Sequence, residues 1–237
     1  MTFRKRMFAA TALLLVAAMS GAPVAAGAQD LTDKIPVPTV PELFTALGSY
    51  VRVAYNNEGY STLGYRAVQN SVGQDWILLE LGITVNKGTK TYRLEREHLT
   101  LKISDGTTIP LATQKEFMEA NGLPALNQRA KIQTDSINYF PVEVTRAVPL
   151  NFFAQLGGGP RDIARDSVEL SSNRVAMGRV FFNVPGGIKT GQYWLNIQFE
   201  GSGIEVPFRV FTKEENKEFT KNWQEYKKAH EANWGKK

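Results

Sequence analysis

The chain has 237 residues, no Cys, and a formal charge of +5 from 28 Lys and Arg against 23 Asp and Glu. Without Cys, disulfides, thiol chemistry and cysteine metal sites are excluded, so any fold rests on its apolar core. Three of the positive charges sit at the extreme N-terminus, and the segment from Thr212 holds seven Lys and five Glu. The body between is neutral, which argues against a nucleic-acid or polyanion partner.

Met1 to Ala28 has the pattern of a secretion signal. Arg4, Lys5 and Arg6 form a basic start, Met7 to Ala18 an apolar run, and Ala26-Gly27-Ala28 a small-residue cleavage site. Ser20, Gly21 and Pro23 interrupt the run before the roughly 20 apolar residues that a membrane span needs. No Cys is present to carry a lipid, so the expected address is periplasmic or secreted. Cleavage would leave 209 residues, enough for one large domain.

Residues 29–49 contain Pro36, Pro38 and Pro41 and are expected to form an extended linker, with a short helix over Pro41 to Leu47. Tyr50 to Tyr55 alternates and ends in a turn, whereas Gly59 to Gln74 lacks a period and is expected as loop, with a short strand near Tyr65 to Val68. Trp76 to Asn86 is a strong strand signal, and Leu99 to Ser104 is a second that turns at Asp105-Gly106 into Thr107 to Leu111. Thr113 and Glu116 form a capping box for a short helix, and another is expected over Leu123 to Ala130. Ile137 to Thr145 and Val148 to Phe153 are expected as strands, each containing Pro, followed by a Gly157 to Pro160 break and a helical turn over Arg161 to Asp166.

From Arg179 to Phe211 three runs of branched and aromatic residues are separated by Gly, Pro, Lys, Thr and Ser. Tyr193, Leu195, Ile197 and Phe199 alternate with Trp194, Asn196, Gln198 and Glu200, then Ile204, Val206, Phe208 and Val210 do so with polar neighbours. Many short strands with brief helices predict an all-β chain, an antiparallel β-sandwich over residues 50–211. Tyr193 opens its strand two residues before Leu195, as the tyrosine of an Ig-type corner does.

WILLELGITVNKGTK (Trp76 to Lys90), LTLKISDGTTIPL (Leu99 to Leu111), MGRVFFNVP (Met177 to Pro185) and YWLNIQF (Tyr193 to Phe199) together resemble bacterial extracytoplasmic Ig-like domains of undefined function. The resemblance covers about half of the chain after the signal and lies in turns rather than chemistry. It implies a sandwich outside the cytoplasm used for binding or assembly, and carries no catalytic residue and no cofactor.

The sequence offers little for catalysis. His98 and His230 are the only histidines; Asp162 and Asp166 interleave with Arg161 and Arg165, and Glu95 and Glu97, placed on one side of a strand, are flanked by Arg93 and Arg96. Solvated ion pairs account for such acids better than a Ca²⁺ site or a carboxylate pair. Gly157 to Pro160 lacks the Lys and hydroxyl residue of a phosphate loop. No catalytic residue and no metal ligand is therefore assigned, and the activity expected is non-enzymatic binding in the cell envelope. The alternatives are a hydrolase or carbohydrate-binding protein with its site in residues 112–171, or a sugar platform on Trp194 or Trp76.

Thr212 and Glu215 form a second capping box ahead of an amphipathic helix over residues 212–237, in which Phe219, Trp223, Tyr226, His230 and Trp234 make one stripe. Large rings left in water cost several kcal/mol, so something covers them. Three covers are open: the chain's own sandwich, where Trp194 and Phe211 face outward; an envelope protein or second copy docked on the helix; and the membrane surface, disfavoured by five Glu. Trp194, Phe211, Phe219, Trp223, Tyr226 and Trp234 are thus the candidate partner-binding residues.

Overall fold

The computed structural model describes residues 43–120, 123–133, 135–154 and 163–234, with side chains described from residue 49 onward apart from 224 and 226–234. The expected signal, the first part of the linker and the Gly157 to Pro160 break lie outside the described residues. The described part is predominantly β, with several antiparallel sheets and a few helices.

Among the described residues there are twelve strands: β1 (Leu43–Gly48), β2 (Val51–Tyr55), β3 (Gly59–Gly64), β4 (Trp76–Val85), β5 (Tyr92–Glu95), β6 (Leu99–Ile103), β7 (Thr108–Pro110), β8 (Arg146–Pro149), β9 (Ser167–Leu170), β10 (Arg174–Asn183), β11 (Gly191–Gln198) and β12 (Gly203–Val210). They form a six-stranded sheet in the order β1-β2-β3-β4-β10-β8, a four-stranded sheet β12-β11-β6-β7, and the pair β5-β9. All pairings are antiparallel except β8 with β10. The helices are α1 (Gln114–Glu119), α2 (Leu123–Ile132) and α3 (Lys213–Trp234).

The strong alternations of the sequence are where the core is. Tyr193, Leu195, Ile197 and Phe199 are buried, as are Ile204, Val206, Phe208 and Val210, and they share one apolar cluster with Leu63, Leu79, Leu81 and Val180 of the six-stranded sheet. Tyr65 and Phe208 meet ring to ring at 5.5 Å, and Tyr193 stacks on Phe208 at the same distance. β4 is covered on both faces, Leu78 as completely as Leu79.

Five expectations are corrected. Leu43–Gly48 is a strand rather than a short helix: Ser49-Tyr50 turns it back onto β2, and a ladder of backbone bonds outweighs a helix too short to be stable alone. Gly59–Gly64 is a strand too, nearly all of it buried between β2 and β4, and Ala67–Asn70 is a 3-10 turn. Ile137 to Thr145 forms no strand, because it delivers side chains instead: Ile137 sits over Gly64 and Phe140 over Gly82, where a Cβ would come within 3.0 and 2.4 Å of them. Of Val148 to Phe153 only Val148 and Pro149 lie in a strand, β8, and the Leu150 N–H adds one further bond to the Met177 carbonyl (2.8 Å) before the chain leaves β10. The helical turn expected before Asp166 is absent over residues 163–166.

Side chains close the free edge of β12. The Gln69 amide donates to the Arg209 carbonyl (2.8 Å) and accepts from the Phe211 N–H (3.0 Å), imitating a neighbouring strand, while Asn56 donates to the Gly203 carbonyl (3.1 Å). Pro207 stands between them with no N–H to offer.

α3 begins at the reciprocal cap read from the sequence: the Thr212 N–H donates to Glu215 Oε2 and the Glu215 N–H to Thr212 Oγ1, both at 3.1 Å. Phe219 stacks on Phe211 at 4.8 Å and meets Tyr50 edge-on at 6.2 Å, and the Tyr50 hydroxyl bonds Asn216. The helix is thereby bound to the body at the β1–β2 turn.

Candidate binding surface

The outward side of the four-stranded sheet gathers polar side chains from three strands. Register sets Trp194 between Lys102 and Pro207, and Asn196 between Thr100 and Glu205. The Lys102 ammonium lies 5.1 Å from the Trp194 ring centroid and 3.4 Å from Glu205 Oε1. Asn196 Nδ2 reaches Thr100 Oγ1 at 3.4 Å, leaving Asn196 Oδ1 with no hydrogen-bond partner among the described residues. A groove of about 490 Å³ runs here, lined by Glu97, His98, Thr100, Asn196, Gln198 and Glu205.

His98 closes one end. Its Nδ1 takes the Glu95 N–H at 3.1 Å, so in the neutral ring the proton is on Nε2. The Tyr92 hydroxyl lies 2.8 Å from Nδ1 and donates to the Gln198 carbonyl at 3.1 Å. Burial, then the nearby Glu95 carboxylate, pushes the Tyr92 phenol up, so it remains a neutral donor. An amide, a hydroxyl, a carboxylate and an aromatic face on paired strands, with an imidazole from the turn before β6, make a surface able to form polar contacts.

The sequence-predicted contact residues part company here. Phe211 and Phe219 are 2% exposed and Trp223 is 7% exposed, so these three are core of the chain itself and not a free docking stripe. Phe219 finds its cover in Tyr50 and Phe211, side chains whose own apolar faces needed burial, and Trp223 packs against Phe219. The side chains of Tyr226, His230 and Trp234 lie outside the described residues. Trp194 remains on the outer face, half-buried under Lys102, whereas Trp76 is packed against the core.

Four acids of residues 112–171 are engaged locally, while Glu143 is exposed. Glu116 completes the cap with Thr113, Glu119 lies 4.0 Å from Lys115, Asp135 takes a two-pronged bond from Arg66 (2.9 and 2.6 Å), and Glu169 pairs with Arg174 at 2.7 Å. Asp162 is outside the described residues and Asp166 is exposed. Glu95 and Glu97 do not share a strand face: β5 stops at Glu95, which caps the 3-10 turn Arg96–His98. Among the described residues no group of three or more His, Cys, Asp or Glu could hold a metal ion.

One polar cluster escaped the sequence reading. Glu80 stands on the outer face of β4, with Arg179 Nε 3.9 Å away on β10, and Arg179 Nη1 reaches Asn127 of α2 at 3.3 Å. Burial pushes the Glu80 carboxyl up to about 7; Arg179 lowers it and Asp135 raises it by lesser amounts. The sequence signal is one acid inside the run Leu78-Leu79-Glu80-Leu81, which strict alternation assigns to solvent. No protein-family model, no curated protein and no solved structure matches this chain.

Proposed function

We propose that the chain is an extracytoplasmic Ig-like β-sandwich that serves as a non-enzymatic binding or assembly module of the cell envelope, with its contact surface on the outer side of β12-β11-β6. The observation that carries this reading is the groove on that face, whose polar lining comes from three strands locked in register. An address outside the cytoplasm is supported by the Met1 to Ala28 pattern.

Support for the Ig-like arrangement comes from strand order. β3-β4-β10-β8 parallels the A-B-E-D sheet of Ig domains, and β12-β11-β6-β7 parallels G-F-C-C′. β8 departs from it by running parallel to β10. The Tyr193 hydroxyl donates to the Lys189 carbonyl (2.8 Å) and accepts the Lys189 N–H (3.1 Å), the upstream backbone contact of a tyrosine corner.

A partner, an envelope protein or a second copy, then meets the sheet face rather than the rings of α3. The hydrolase alternative loses support, because Glu116, Glu119, Asp135 and Glu169 of the inserts serve caps and ion pairs. The test captures binders from an envelope extract, and screens envelope polysaccharides and esters, with the full chain and with Asn196→Arg. A binder lost in the variant at unchanged melting temperature is the expected result. Equal capture by both proteins would move the site elsewhere, and ester or glycoside turnover would replace the binding reading with an enzymatic one.

A further inference from the structure

The outer face of β3, β4 and β10 is covered by α2 and by the segment Asp135 to Phe140. α2 buries Leu123, Leu126 and Ala130, spaced three and four apart. Register aligns Gly64 with Glu80 and Thr62 with Gly82, so two bare positions admit Ile137 and Phe140, and Phe140 also meets the Tyr60 ring at 6.0 Å. Beneath this apolar cover lies one carboxyl group, Glu80, whose side chain is 18% exposed.

We infer that this segment is a pH-responsive cover, held against the sheet while Glu80 is protonated and loosened when that carboxyl ionises. The charges facing Glu80 decide the direction. From β10 comes Arg179, whose 3.9 Å separation is too long for a hydrogen bond and whose guanidinium also serves Asn127. From the cover comes Asp135, a like charge already neutralised by Arg66, which itself lies over the Tyr50 ring. From β3 the neighbour is Gly64, and Tyr60 further along, with its phenol raised to about 12 by burial and then by Tyr55, stays neutral. An ionised Glu80 therefore has no full set of donors in the closed arrangement, and water reaches it only where the cover lifts. The carboxyl value of about 7 puts the change near neutrality.

Hydrogen–deuterium exchange of the full chain between pH 5.5 and 8.5, corrected for intrinsic exchange, reads the cover directly. Protection of peptides from residues 123–140 is expected to fall about tenfold as pH rises through neutrality, within the limit set by a shift of this size. Peptides from β11 and β12 stay constant. In Glu80→Gln the fall disappears; the same fall in the variant, or protection that rises with pH because Arg179 closes on the carboxylate, overturns the inference. A second readout needs no variant. The ¹³C carboxyl signal of Glu80 is expected to titrate near 7, and a midpoint at the ordinary value of 4.5 overturns it.

Discussion

Tyr193 is a residue whose place the sequence made visible, because a ring that opens a sharply alternating strand has one inward direction available. Its hydroxyl then needs a partner inside the fold, and the Lys189 backbone provides both a donor and an acceptor. Tyr193→Phe leaves those two groups unpaired and is expected to lower stability by about 1–2 kcal/mol, read as a lower urea midpoint at unchanged slope. Gly82 was not legible in the same way. The demand for a bare position comes from Phe140, far along the chain, and no local pattern announces it. In Gly82→Ala the new Cβ would stand 2.4 Å from Phe140 Cζ and 2.7 Å from Thr62 Oγ1. Thr62 is fixed on the next strand, so a loss of about 1–3 kcal/mol is expected in thermal denaturation.

At the scale of elements, signals carried within an element were readable and signals carried between elements were not. The caps at Thr113 and Thr212 are four-residue patterns, and both helices start where those patterns place them. β4, β11 and β12 announce themselves by alternation. β3 does not, since a strand buried on both sides has no polar face to alternate with, and β1 is a strand because β2 offers it an edge. The stripe on α3 was legible as a surface requiring cover, but what meets its first ring, Phe219, depends on Tyr50 and Phe211, which the helix cannot specify. Phe219→Ala is expected to cost about 3–5 kcal/mol. Removing residues 212–237 is expected to lower the melting temperature of the chain by exposing Phe211 and Tyr50, a loss visible in calorimetry.

For the whole molecule, the absence of Cys leaves one shared apolar cluster to hold the sheets together, and the polar groups within it set how stability varies with pH. Glu80 has the raised value, so the folded state binds its proton more tightly than the unfolded chain does. The stability this contributes is complete below the ordinary 4.5 and declines as pH rises through about 7. Melting temperatures taken from pH 5 to 8 are expected to fall in the wild type and to flatten in Glu80→Gln. That whole-chain trend was beyond the sequence, since it depends on α2 and the segment after it folding over an acid that alternation assigns to water.

The closure of β12 bears on how such a molecule behaves at high concentration. With Gln69 and Asn56 occupying the Arg209 and Gly203 carbonyls and Pro207 lacking a donor, that flank gives an adjacent copy only a broken ladder to extend. Any contact between copies through this sheet is then left to side chains on the broad face, and stacking into fibres lacks a continuous template. Gln69→Ala reopens the seam, so light scattering on warming should detect assemblies that the parent protein does not form.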